Sequence, residues 1–173
     1  MAPRRRTEAF AKAQATFAKA MRLSQENCER FEIPLEKGTM PALYTRVPGD
    51  GPHPVVGFCN GLDSNKELLY WTRLPEALAR RGISTLCVDQ PGTGETLRLQ
   101  NLPATVHSEQ WASKAVDWLE ARREIDPARI GMTKARTQYM KFGDRVRMEA
   151  RLPSGAPLFG AIDQRVILCS QQG

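Results

Sequence analysis

The sequence predicts an α/β fold, with a mostly parallel sheet in a three-layer arrangement, a helix ahead of it and a β-hairpin behind it. Three features carry that prediction. Short continuous apolar runs end abruptly in Asn-Gly or Asp-Gln-Pro-Gly, longer stretches between them repeat apolar residues at helical spacing, and after Thr133 the pattern becomes a polar/apolar alternation. Continuous apolar runs are what strands covered on both faces require, and such strands belong to parallel sheets.

In chain order, residues 7–27 are strong helix formers, with Phe10, Phe17 and Met21 at intervals of seven and four and alanines between them. They predict an amphipathic helix that packs its stripe on the domain, with a membrane surface as the alternative use. Residues 30–34 and 42–47 flank the turn-rich Glu36-Lys37-Gly38-Thr39 and predict an antiparallel hairpin at the sheet edge with one face in solvent. After the loop Pro48-Gly49-Asp50-Gly51-Pro52, residues 54–59 form the first buried strand. It runs into Asn60-Gly61-Leu62-Asp63-Ser64-Asn65-Lys66-Glu67, where Ser64 or Asn65 caps one helix carrying Leu68, Leu69, Trp71, Leu74, Leu78 and Ala79 and stopping at Arg81-Gly82. Residues 83–88 are the second buried strand, followed by Asp89-Gln90-Pro91-Gly92-Thr93-Gly94-Glu95. Residues 108–125 place Trp111, Ala115, Trp118 and Leu119 on one helical face, and residues 128–132 begin a third strand. Residues 145–152 then alternate, Pro153-Ser154-Gly155 turns, and residues 157–168 return as the second arm of a hairpin.

Composition narrows the function classes. The chain has 173 residues, 41% hydrophobic and 25% charged, which suits one globular domain. No apolar run approaches the roughly 20 residues of a membrane-spanning helix, so no membrane partner is expected. Cys28, Cys59, Cys87 and Cys169 stand apart, with no C-x-x-C pair and no histidine cluster beside them. They read as reduced thiols of a cytoplasmic protein, and neither a metal nor a cofactor is implied. The net charge of +6 is uneven, with +5 over residues 1–22, +4 over 134–173 and −3 between them. An acidic centre interrupts any continuous phosphate-binding stripe, so no nucleic-acid partner is expected. Gly92-Thr93-Gly94 lacks the third glycine of a dinucleotide fingerprint and the Gly-Lys-Ser/Thr of a phosphate loop.

The two loop motifs that follow the first and second buried strands, 60–67 and 89–95, together resemble those of the α/β-hydrolase fold, in the esterase-like branch that includes dihydroxypseudooxynicotine hydrolase. The likeness covers residues 28–132, and it implies a partial α/β-hydrolase core with a cap-domain remnant ahead of it. It also implies a small-molecule substrate and hydrolysis of an ester, amide or carbon–carbon bond. The family's mechanism uses a serine on a strand-to-helix elbow, backbone N–H donors for the oxyanion, and a later acid and histidine. By resemblance Gly61, Leu62, Asp63 and Ser64 correspond to the oxyanion segment. A plain strand-to-helix turn accounts for them equally well. Asp89, at the end of a strand, reads as a site-facing carboxylate or as the cap of the following turn.

The sequence departs from the family where the elbow should follow the third strand. There it reads Thr133-Lys134-Ala135-Arg136-Thr137-Gln138, and no G-x-S-x-G occurs anywhere. Both histidines, His53 and His107, precede that point, so no catalytic residue of the triad is assigned and the chain is expected to be inactive as it stands. Within residues 138–166, Tyr139-Met140-Lys141-Phe142-Gly143-Asp144-Arg145-Val146 and Phe159-Gly160-Ala161-Ile162-Asp163-Gln164-Arg165-Val166 resemble the C-terminal strands of the fumarylacetoacetate hydrolase family, which implies a metal-dependent enzyme as one alternative; a non-catalytic interaction or fusion protein is the other. The expected organisation is a helix over 1–27, a truncated hydrolase core over 28–133 and a β-rich segment over 134–173. An open sheet edge would offer a surface for a homodimer or a partner strand.

Overall fold

The computed structural model describes residues 3–61, 63–132, 143–149, 151–152, 154–156, 161–165 and 167. Contacts divide the chain into two compact units, Met1–Ala135 and Arg136–Gly173.

The first unit opens with helix α1 (Pro3–Ser24) and continues as β1 (Cys28–Pro34), β2 (Thr39–Thr45), β3 (His53–Cys59), α2 (Lys66–Trp71), α3 (Leu74–Ala79), β4 (Ser84–Val88), α4 (Gly94–Arg98), α5 (Ser108–Glu120) and β5 (Ile125–Gly131). The strands form one sheet in the order β1-β2-β4-β3-β5. β3 pairs in parallel with both β4 and β5, and β2 is antiparallel to both β1 and β4. Every strand except β2 therefore runs the same way, as the buried apolar runs predicted.

Side chains alternate across the sheet, and each face has its own core. Ile33, Met40, Ala42, Tyr44, Val55, Leu86 and Val88 pack on one face with Ala115 and Leu119 of α5. Cys28, Leu43 and Cys87 pack on the other with Tyr70 of α2, and Phe17 and Met21 of α1 lie against them. The stripe read on residues 7–27 is thus used against the domain. At the corner after α5 the Arg122 guanidinium lies over three rings from three elements, at 4.6 Å from Phe31, 4.9 Å from Tyr44 and 4.1 Å from Trp118.

Four readings are corrected. The hairpin is not wholly at the edge: β2 lies between β1 and β4, and all of it after Thr39 is buried, while β1 alone carries an exposed face. The single helix over 65–79 is two, because Pro75 belongs in a first turn, where its missing N–H is harmless, and would break a helix continued from Lys66. Arg73 makes the break in the left-handed region, at φ 61°. The face of α2 that turns inward is Lys66, Glu67 and Tyr70, leaving Leu68 45% and Trp71 65% exposed. Finally, α5 stops at Glu120 and β5 begins earlier than read, at Ile125 opposite His53, with a register irregularity before Val55 meets Ile130.

In the second unit β6 (Arg145–Met148) and β7 (Ile162–Arg165) form the expected antiparallel pair, in the register Arg145↔Arg165 to Met148↔Ile162. Arg145 donates two bonds of 2.6 Å to the Asp163 carboxylate across the pair. Among the described residues, no helix is long and apolar enough to cross a membrane.

Candidate functional site

β3 and β4 are parallel neighbours with Cys59 opposite Val88, so Asn60 and Asp89 leave the sheet side by side at its C-terminal end. Asp89 has no exposed surface. Its Oδ1 accepts from Asn60 Nδ2 at 2.6 Å and from the Lys66 backbone N–H at 2.7 Å, and its Oδ2 accepts from Lys66 Nζ at 3.1 Å and the Glu95 N–H at 2.9 Å. Asn60 Nδ2 also donates to the Val88 carbonyl at 2.8 Å. The Gln90 amide closes on the Asn60 backbone in both directions, accepting from its N–H at 3.0 Å and donating to its carbonyl at 2.6 Å.

Lys66 is fully buried and faces three carboxylates, Glu95 at 2.6 Å, Glu67 at 2.7 Å and Asp89 at 3.1 Å, with the Gln14 amide oxygen of α1 at 3.3 Å. Glu95 is held from its far side by Arg30 of β1 at 2.8 Å. Burial works against the Lys66 ammonium, but Asp89, Glu67 and Glu95 outweigh it and hold its pKa above the ordinary lysine value. Burial pushes the Asp89 carboxyl above the usual range, against the pull of Lys66 and the Glu95 amide. Buried charges survive only when paired and hydrogen-bonded in this way.

The candidate oxyanion segment begins inside this clamp. Gly61 and Asp63 are exposed and Ser64 is half-buried, while Leu62 lies outside the described residues. Ser64 N–H donates to the Gly61 carbonyl at 3.1 Å, a turn before α2. Of the two candidate caps, Asn65 is the one used: its side chain accepts from the Leu68 N–H at 2.9 Å. Asp89, read as site-facing or as a turn cap, lies at the site but turns its carboxylate inward.

The histidines are elsewhere. His53 is the first residue of β3, at the opposite end of the strand from Asn60, with a buried Nε2 that has no hydrogen-bond partner. His107 is exposed just ahead of α5, with Nδ1 3.5 Å from Glu109. Residues 133–142, where an elbow would follow the third strand, lie outside the described residues. Cys28, Cys59 and Cys87 are free thiols, and burial raises Cys28 to about 11 and Cys87 to about 12. Among the described residues, no group of three or more His, Cys, Asp or Glu is arranged to hold a metal ion.

Lys66 and Glu95 lie inside the two loop motifs, but the sequence alone assigns neither a role. The available signal was that a lysine follows one buried strand and two acids follow its neighbour. That pairing becomes readable only once those strands are known to be adjacent.

A sheet in which only β2 is reversed, with its polar loops at the C-terminal ends of β3 and β4, defines an α/β-hydrolase core. The FrsA-like esterase family model matches residues 6–133, and the chain belongs to that family. It is similar to 2,6-dihydropseudooxynicotine hydrolase of Paenarthrobacter nicotinovorans, at 32% identity over 129 residues, covering 74% of this chain and 34% of that protein. It is also similar to esterase FrsA of Vibrio vulnificus, at 27% identity over 151 residues, covering 84% and 35%. The crystal structure of 2,6-dihydroxy-pseudo-oxynicotine hydrolase superimposes with a TM-score of 0.65 at 29% identity, covering 73% of this chain and 35% of that one. The chain therefore spans about a third of the length of these relatives. The family match ends at residue 133 and gives no support to the expected likeness of residues 138–166 to fumarylacetoacetate hydrolases.

Proposed function

We propose that this chain carries the oxyanion side of a hydrolase active centre for small-molecule esters, amides or activated carbon–carbon bonds, and that by itself it does not turn substrate over. The observation that supports this most is the clamped 60–66 segment at the C-terminal end of β3, in a chain whose sequence contains no G-x-S-x-G. In this reading the backbone N–H groups of Leu62 or Asp63 donate to a developing oxyanion, a contribution of about 3 kcal/mol where such a donor is lost. Neither Lys66 nor Asp89 acts on substrate, since both are buried and committed to each other.

The test is reaction with a fluorophosphonate serine probe alongside p-nitrophenyl acetate hydrolysis. The expected result is no covalent label and no turnover above the buffer rate. Strong labelling that disappears in Ser64→Ala would overturn the proposal, because it would make Ser64 a nucleophile activated within the segment.

A further inference from the structure

We infer that Asp89 is the positioning residue of the 60–66 segment, its one carboxylate joining both ends of that segment to the start of α4, and that Gly94 is a glycine because it must lie against that carboxylate. The catalytic meaning of this inference rests on the proposed oxyanion role of residues 61–64, whereas the clamp itself does not.

Two described residues of the segment, Gly61 and Asp63, gain no order from burial. Gly61 and Asp63 are exposed, and a methyl group built on Gly61 would meet nothing within 4 Å. Both ends of the segment are bonded to Asp89. Oδ1 takes the Asn60 side chain and the Lys66 N–H, one from each end of the segment. Oδ2 takes the Lys66 ammonium and the Glu95 N–H. An ionised carboxylate has about four lone-pair sites, and all are used. An asparagine of the same shape would turn an NH2 group toward two of those donors, so only the carboxylate satisfies the arrangement.

The second observation comes from a residue outside the segment. Gly94 has φ +40°, and a Cβ placed on it would lie 2.2 Å from the carboxyl group of Asp89, far inside van der Waals contact. Gly94 thus makes room for the clamp while presenting the Glu95 N–H to it. Gly94→Ala should consequently loosen residues 60–66 by displacing Asp89.

The test is amide hydrogen exchange, followed by NMR on the whole chain. In Asp89→Asn and in Gly94→Ala the Lys66 and Ser64 amides should exchange at least tenfold faster than in wild type, while Leu86 and Val88 of β4 keep their rates. The Lys66 and Glu95 amide protons should also move upfield together in Asp89→Asn, as charge-assisted bonds are lost. Unchanged exchange at 60–66 in both variants would overturn the inference. An equal acceleration of β4 would overturn it too, because that marks global destabilisation. Should Asp89→Asn fail to fold, the double variant Asp89→Leu/Lys66→Met removes the carboxylate and the ammonium of the clamp together, with Glu95 keeping its Arg30 partner. It should restore protection in β4 and leave the amides at positions 64 and 66 fast, and wild-type protection at 60–66 would refute the clamp. No substrate enters these measurements, so a serine label in the probe assay would end the functional reading and leave this one standing.

Discussion

Lys66 sits where a helix meets a sheet, without exposed surface, and three carboxylates neutralise it. Its pKa, like those of Cys28 and Cys87, is higher in the folded chain than in the unfolded one. For groups of this kind the stability contributed is complete below the unfolded value, 9.0 for the thiols and 10.5 for the lysine. It is then lost as pH rises through the folded value, about 11 for Cys28 and about 12 for Cys87. The unfolding midpoint in urea is therefore expected to fall steadily from about pH 9 upward, and a flat profile to about pH 11 would contradict the assignment. These residues also mark the limit of sequence reading. Asp89 was visible as an acid at the end of a strand, but its lysine partner lies 23 residues earlier in the chain and is identified only by the pairing of β3 with β4.

Among the elements, the strands made of apolar runs bounded by Asn-Gly and Asp-Gln-Pro-Gly were the most legible, but burial was read too broadly: β4 is buried throughout, whereas in β3 only Val55 is and Cys59 is exposed. The helix over 65–79 was misread because its apolar spacing continues across Thr72 and Arg73, and Pro75 decides the matter through a hydrogen bond it cannot donate. The hairpin was misplaced because residues 39–45 do not show in sequence that a second strand, β4, covers their other edge. Arg122 joins three elements that sequence leaves unconnected, and its side chain is mostly buried among Phe31, Tyr44 and Trp118. Arg122→Ala is expected to cost about 1–2 kcal/mol, read from the urea midpoint, with Arg122→Lys in between. A variant indistinguishable from wild type would show that the ring contacts contribute nothing net.

The chain divides into two compact units, and the larger one, Met1–Ala135, holds the five-stranded sheet, both of its cores and the site. Residues 1–135 produced alone are expected to keep the β-sheet circular dichroism and one cooperative thermal transition. Loss of that transition would mean that the smaller unit is required for folding. The resemblance to α/β-hydrolases was legible here from two loops alone, while the strand order was not, because β1-β2-β4-β3-β5 depends on crossovers that leave no trace in local periodicity.

The pairing of Cys59 with Val88 has a consequence for how the chain reaches this arrangement. Parallel strands made of uniform apolar runs have little to set their alignment, and sliding β3 along β4 by two residues would keep every side chain on its own face. That slide would carry Asn60 roughly 7 Å from Asp89 and strand the ammonium of Lys66 in a dry interior. The polar cluster thus acts as a proofreader of alignment, penalising a misthreaded sheet that hydrophobicity alone would accept.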